Sequence, residues 1–412
     1  MDDRRQHRRY LAAFLATAVV LALGTAFVNY RIDPYGIFGS PRTPGFNALK
    51  PASHERVRIT KPYQAERAQP RTVIGGNSRP ELGLDPDSPC WAAADRPIFN
   101  AGIPGASFRL QASYAKHALL QGRGSQLLMG VDLADFLIDR RRTYPSAQVA
   151  PVTSSPPLSS DEQRLAPQLT GAGQAEHLQQ RTADRLTALF SLTTLGDSLA
   201  TVAAQGNPDA ATRLENGFNP ARDFYPIVRS EGQHVLFEQK NQEITGLFGR
   251  PGLAIHDASG RAAPAFADLR GLLAWAKVQG IRVTLFINPY HVDYLATIYR
   301  AGLWPEMEAW KRELTAIAEQ HNTPLWDFNT VDEYSTEPPP PRGDTRSMLR
   351  WFVEPAHYRS ELGEKMIASM QGQTCDAVQG KAQFGVSLRE AGLSNHLDAL
   401  RAALVAHVEE LR

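Results

Sequence analysis

Thr72-Val73-Ile74-Gly75-Gly76-Asn77-Ser78-Arg79 reads as a short strand that ends in a glycine turn and delivers a serine. An apolar run of this length, closed by a turn signal, has the pattern of a strand covered on both faces. Near the other end of the chain, Glu354-Pro355-Ala356-His357 sets a carboxylate just ahead of a histidine, at the mouth of a helix expected over Glu361 to Met370. A serine nucleophile, a histidine base and a carboxylate to orient it are the parts of covalent acyl transfer. Each also has a plainer role. Ser78 could cap a following helix, Glu354 could complement a helix dipole, and His357 could be a satisfied core or surface histidine. Only a fold that joins the two segments separates these readings.

Working outward, further strand-like runs alternate with helical ones. Pro97-Ile98-Phe99-Asn100 opens into Asn100-Ala101-Gly102-Ile103-Pro104-Gly105, and a helical stretch follows from Ser107 to Leu120. A strand over Gln126 to Val131 ends at Asp132. Much later a helix over Ala263 to Gln279 leads into Ile281 to Ile287, which ends at Asn288-Pro289. A helix over Pro305 to Gln320 precedes the strand Pro324 to Asp327. This alternation predicts an α/β fold, a three-layer sandwich with a central parallel sheet. Ligands of such sheets bind beyond the carboxyl ends of the strands. Ser78, Gly105, Asp132, Asn288 and Asp327 all fall at or just past such ends, and His291 lies shortly after one.

Between residues 140 and 263 the alternation breaks into a Pro- and Ser-rich loop, a helical run over Glu176 to Gln205, and an irregular stretch to Gly252. This is expected to be a largely helical insertion, either a lid over the carboxyl edge of the sheet or a separate subdomain. Leu186, Leu189, Phe190, Leu195, Leu199 and Val202 form its broad apolar face. A C-terminal amphipathic helix over Asn395 to Leu411 should pack on the body.

Residues 10–30 carry no charge and are bounded by Arg9 and Arg31. A membrane-spanning helix needs about 20 such residues. Arg4, Arg5, Arg8 and Arg9 precede the run and only Arg31 closely follows it, which keeps the N-terminus cytoplasmic and sends the rest of the chain outside. A cleaved signal peptide is the rival reading, with Gly24 and Ala26 as small residues for processing. On the anchor reading, residues 1–9 are a cytoplasmic tail of a single-pass inner (cytoplasmic) membrane protein. Residues 31–69 are then a juxtamembrane connector, and 70–412 the α/β domain in the periplasm or an equivalent space.

The net charge of +1, with no basic, aromatic-interleaved stripe, gives no reason to expect nucleic-acid binding. Cys90 and Cys375 would sit in an oxidising compartment, either bridged or as two buried thiols. A bridge closing so long a loop contributes on the order of 4–5 kcal/mol in the chain-entropy account. There is no CxxC and no Cys/His ligand spacing, so no metal is expected, and no cofactor motif is present.

In this order, the motifs resemble those of the SGNH (GDSL-type) hydrolase superfamily, over roughly residues 70–135 and 263–370. Gly76-Asn77-Ser78-Arg79 is similar to its nucleophile block, with asparagine in place of the usual acidic residue. Asn100 to Ser107 is similar to the block that carries an oxyanion-hole glycine, here Gly105. Glu354-Pro355-Ala356-His357 is similar to its Asp-x-x-His block. The chain also resembles the membrane-anchored branch that includes proteins tied to O-acetylation of exopolysaccharides and D-alanylation of cell-wall polymers. The resemblance implies a serine esterase or O-acyltransferase with Ser78, His357 and Glu354 as the triad and no cofactor. Its oxyanion hole would be built from the backbone N–H groups of Ser78 and Gly105. It also implies a glycan or cell-envelope ester as substrate, and a membrane acyltransferase as partner.

One block departs. Gly130-Val131-Asp132-Leu133 puts a carboxylate where the family presents an asparagine. An anion cannot donate to a developing oxyanion, and losing one donor typically costs about 10²–10³ in rate. Asn288 or Arg79 could substitute; Arg79, Asp132 and His291 are candidate substrate contacts. Otherwise the domain is catalytically silent and binds polysaccharide or a membrane partner.

Overall fold

The computed structural model describes residues 2–144, 159–166, 173–372, 375 and 384–410. Part of the loop expected between Tyr144 and Gly173 lies outside the described residues. The chain divides into two compact units, one formed by Met1–Arg67 with Leu158–Arg213, the other by Ala68–Pro157 with Leu214–Arg412. The division cuts across the segment read as a single insertion. Its helical part belongs with the N-terminal helix, and from Leu214 the chain is again part of the sheet unit.

The sheet unit contains β1 (Thr72–Gly75), β2 (Ile98–Asn100), β3 (Gln126–Val131), β4 (Ile138–Asp139), β5 (Leu253–Ala254), β6 (Arg282–Ile287), β7 (Leu325–Asp327), β8 (Phe352–Glu354), β9 (His357–Tyr358) and β10 (Val386–Ser387). Six of them form one sheet in the order β10-β7-β6-β3-β1-β2. All neighbours pair in parallel except β10, which closes one edge antiparallel to β7. Alternate side chains leave on opposite faces. Ile74, Leu128 and Phe286 meet Leu362, Met366 and Ile367 of the helix Ser360–Gln371 on one face. The helices Phe108–Gln121 and Pro264–Val278 each bury an apolar stripe, and Ala115 of the first lies over Gly75 between Leu127 and Met129. The result is an α/β protein with a six-stranded, mostly parallel central sheet. The connections run outward from β1 and β3 in opposite directions, so the switch point of the topology lies between these two strands, where a crevice forms beyond the carboxyl ends. Ser78 follows β1 and Asp132 follows β3.

A disulfide joins Cys90 to Cys375, 285 positions apart. Cys90 is buried in the same core as Trp91 and Met366. Closing a loop of this length restricts the unfolded chain by an amount worth on the order of 5 kcal/mol. A Cys90→Ala/Cys375→Ala variant should therefore lose a few kcal/mol of stability, read from the guanidinium midpoint, and reductant should move the wild type the same way. Coincident oxidised and reduced unfolding curves would contradict this.

The other unit is helical. Asp2–Ile32 is one continuous helix, and Arg4–Ile32 is long and apolar enough to cross a membrane, either as an anchor or as a signal sequence. Its end is closed by buried Lys50, whose ammonium donates to the Ile32 and Asp33 carbonyls at 2.8 and 2.7 Å. A cation there satisfies orphan carbonyls and suits the negative end of the dipole. The helices Gln174–Phe190 and Leu192–Ala203 pack against the same end. Buried Asp184 receives two bonds from Arg164 and one from the Tyr63 hydroxyl. The apolar helix and the disulfide together suggest that the sheet unit is extracytoplasmic.

Candidate active site

The serine is set by local backbone chemistry. Gly76 leaves β1 with φ +138°, and a Cβ there would lie 2.6 Å from the Pro80 ring; only glycine turns the chain at this point without strain. Asn77 then caps the short helix Ser78–Gly83, its Oδ1 accepting the Arg79 N–H at 3.0 Å. The cap is Asn77, so the Ser78 hydroxyl is left for another partner.

That partner is the histidine. Ser78 Oγ lies 2.7 Å from His357 Nε2, and His357 Nδ1 is bonded to Glu354 Oε1. Glu354 and His357 face each other across the β8–β9 hairpin, and the second carboxylate oxygen accepts the Ala356 N–H at 2.8 Å. An ionised carboxylate only accepts. Nδ1 therefore carries the ring proton, and Nε2 presents a lone pair to Ser78. Burial pushes the Glu354 carboxyl up, but the adjoining imidazole and its hydrogen bond outweigh this and hold it below the usual glutamate value. Ser78 and His357 are only half-buried, whereas Glu354 is buried. A reactant can reach the first two without reaching the third.

Two glycines let these segments meet. A Cβ on Gly83 would stand 1.9 Å from the Tyr358 ring, and one on Gly363 would stand 1.7 Å from the Gly83 carbonyl. The serine helix and the helix after His357 thus cross backbone to backbone.

Beneath the triad, Arg79 and Asp132 are paired at 3.3 Å, and both are buried. Asp132 also accepts from Asn77 Nδ2, from Asn288 Nδ2 at 3.0 Å and from the Tyr290 hydroxyl. Arg79 donates to the Ala356 carbonyl at 3.0 Å and to the Tyr294 hydroxyl at 2.9 Å, and it lies over both tyrosine rings. Burial works against its charge, yet the Asp132 carboxylate and the tyrosines raise its pKa well above the ordinary value. This one guanidinium ties the serine helix, the exit of β3 and the Glu354–His357 turn together.

The surrounding residues are placed as follows. Arg79 and Asp132, read from the sequence as candidate substrate contacts, pair with each other in the interior. Asn288 is fully buried, its amide donating to Asp132 and accepting from Tyr358, so its bonds run into the core and not toward an oxyanion. His291 is buried too. Its Nδ1 accepts the Asp293 N–H as the cap of the helix Val292–Arg300, and its Nε2 bonds the Glu337 carbonyl. Its backbone N–H donates to Pro355 O, within the Glu354–His357 turn, at 3.1 Å. Asp327 is spent on Lys311 and His396.

Gly105 is exposed, with φ +61° and no atom within 4 Å of the place a Cβ would take. Its loop is stitched to the serine turn. Ile103 N–H donates to Gly76 O at 2.8 Å, and Asn100 Nδ2 donates to the Pro80 and Leu84 carbonyls at 2.8 and 2.9 Å. Residues of the irregular stretch after Leu214 reach the same corner, where Asn216 O accepts the Asn100 N–H.

Asp135 is a feature that sequence reasoning missed. It sits on the turn of helix after Asp132, bonded by Gln111 Nε2 at 3.1 Å. Burial, and then the neighbouring Asp132 charge, push its carboxyl up to about 7 from 3.8. The folded state then holds a proton that the unfolded state has released. The stability this contributes is complete below about pH 4 and is lost as pH rises through 7. Asp135→Asn should flatten the pH dependence of the urea midpoint between pH 4 and 7; a variant curve parallel to the wild type would refute the assignment.

Among the described residues no group of His, Cys, Asp or Glu is placed to hold a metal ion. A hollow of about 700 Å³ lined by Gln126, Arg282 and Pro324 lies at the opposite ends of the strands from Ser78 and brings no such chemistry together. No protein-family model and no curated protein matches the chain.

Proposed function

We propose that this protein is a membrane-anchored, extracytoplasmic serine esterase or O-acyltransferase of SGNH-like type, acting on an acylated glycan or similar envelope ester. One observation carries the reading: the Ser78 hydroxyl is within hydrogen-bond reach of a histidine whose other nitrogen is held by a buried carboxylate. Ser78 Oγ attacks the ester carbonyl as its proton passes to His357 Nε2, and Glu354 stabilises the imidazolium. The N–H groups of Ser78 and Gly105 receive the oxyanion. Collapse breaks the ester C–O bond, and the leaving alcohol takes the proton from Nε2. The acyl-serine then passes to water or to a sugar hydroxyl, whose proton returns through His357. The objection raised by Asp132 weakens, because its charge is matched by Arg79 at 3.3 Å.

Fluorophosphonate labelling tests the reading. A single adduct on Ser78, lost in Ser78→Ala, is the expected result. A folded wild-type protein that takes no label would sink the enzyme assignment in favour of a silent domain that binds polysaccharide or a membrane partner.

A further inference from the structure

The two helices packed on the end of the N-terminal helix are turned inside out. Leu192–Ala203 buries Thr194, Ser198 and Thr201 while Leu192 and Leu199 stand 76% and 61% exposed. Gln174–Phe190 buries Arg181, Asp184 and Ala188 while Leu186 and Phe190 are 51% and 47% exposed. Of the apolar face read from the sequence, Leu186, Phe190 and Leu199 point outward, while Leu189, Leu195 and Val202 are half-buried. A helix facing water carries the opposite pattern, and a contiguous apolar patch of this kind marks an interaction surface.

The location of the patch identifies what covers it. Asn29 of the N-terminal helix donates to the Leu189 carbonyl at 2.9 Å and accepts from the Ser198 hydroxyl at 2.9 Å, which pins the elbow between the two helices to that level. Phe27 and Tyr30, on either side of Asn29, are 67% and 50% exposed. The elbow therefore adjoins the outer end of the apolar span and continues its surface. From Leu186 to Gly196 no residue is charged, and Asp197 turns inward to the Tyr35 hydroxyl at 2.5 Å. The pair bends by 62° at the break. The arm Leu192–Ala203 has 12 residues, roughly 18 Å of helix against a hydrocarbon thickness of about 30 Å. Gln179, Thr182 and Arg185, further from the elbow, are exposed and polar. A bent pair with one short arm and polar residues on the other favours dipping into a bilayer over crossing it.

We propose that the elbow, through Leu186, Phe190, Leu192 and Leu199, is seated in the outer leaflet of the membrane as an interfacial wedge beside the spanning helix. The inference is independent of the chemistry at Ser78 and rests on the N-terminal helix remaining attached.

The native cysteines are bridged, so a cysteine introduced at Leu192→Cys can be labelled alone with an environment-sensitive fluorophore. The full-length protein is reconstituted in phosphatidylethanolamine/phosphatidylglycerol vesicles at low protein-to-lipid ratio, with Gln179→Cys as control. The label at 192 should be several-fold less accessible to iodide than at 179, and quenched by lipids bearing a nitroxide near the headgroup end of the acyl chain. Equal iodide access at both positions overturns the proposal. Protection that appears only as the protein-to-lipid ratio rises also overturns it, because a second copy would then be the cover. Stronger quenching from the bilayer centre overturns it in favour of a second span. An intact mass showing removal of the N-terminal helix overturns it as well, because no spanning helix would then stand beside the elbow. None of these readouts involves Ser78, so failure here and failure of the esterase reading are distinguishable.

Discussion

Replacing His357 by alanine should lower the turnover of a simple activated ester by at least about 10³-fold, with little change in unfolding midpoint. His357 is half-buried and, among the described residues, its ring bonds Ser78 and Glu354, so truncation removes a base without opening the core. Glu354→Gln is the more discriminating variant. The amide fits the same space and can still accept the Ala356 N–H. It can also turn its NH₂ toward Nδ1, which favours the tautomer with the proton on Nε2. That ring cannot take a proton from Ser78, and the loss should approach about 10⁴-fold in kcat with KM nearly unchanged. If both variants keep more than a tenth of wild-type turnover, the 2.7 Å contact between Ser78 and His357 is a structural hydrogen bond and no more.

The parts of this arrangement that could be read from sequence are those with local signatures. β1 and β3 appear as continuous apolar runs because strands buried on both faces have no polar side to alternate with. β6 and β7 each begin one residue later than the runs that announced them, within the ordinary uncertainty of element ends. Val386–Ser387 is exposed and pairs at an edge, so nothing in its composition distinguishes it from a loop. The β8–β9 hairpin is equally short, and its importance comes from placing Glu354 opposite His357. Arg79 and Asp132 were each visible, but as unrelated residues. Their pairing, like that of Asn29 with Ser198, depends on a fold that brings distant segments together, and such contacts leave no periodicity to detect. The apolar face of the helices over residues 174–203 was legible as a stripe, but which side it presents was not. Periodicity reports that one face is apolar; it does not report whether protein or lipid covers it.

The Arg79–Asp132 pair yields the second large effect. Asp132→Ala leaves the guanidinium buried without its counter-ion, a change that typically costs about 3–5 kcal/mol. It also removes the acceptor that fixes the side chains of Asn77, Asn288 and Tyr290. The urea midpoint should fall accordingly, and activity should fall with it because Asn77 caps the serine helix. Arg79→Met/Asp132→Ala removes both charges and should recover part of the stability, so that the double variant is less destabilised than the sum of the singles. Activity should not recover. The Ala356 carbonyl loses the Arg79 donor at 3.0 Å that holds the Glu354–His357 turn against the serine helix. Stability and turnover thus part company in the double variant, which a pair serving the core alone would not produce. The opposite outcome is equally readable. If the Asp132 charge instead opposes the oxyanion, Asp132→Asn speeds turnover while the unfolding midpoint barely moves. The carboxylate would then be a brake on Ser78 and not the anchor of its helix.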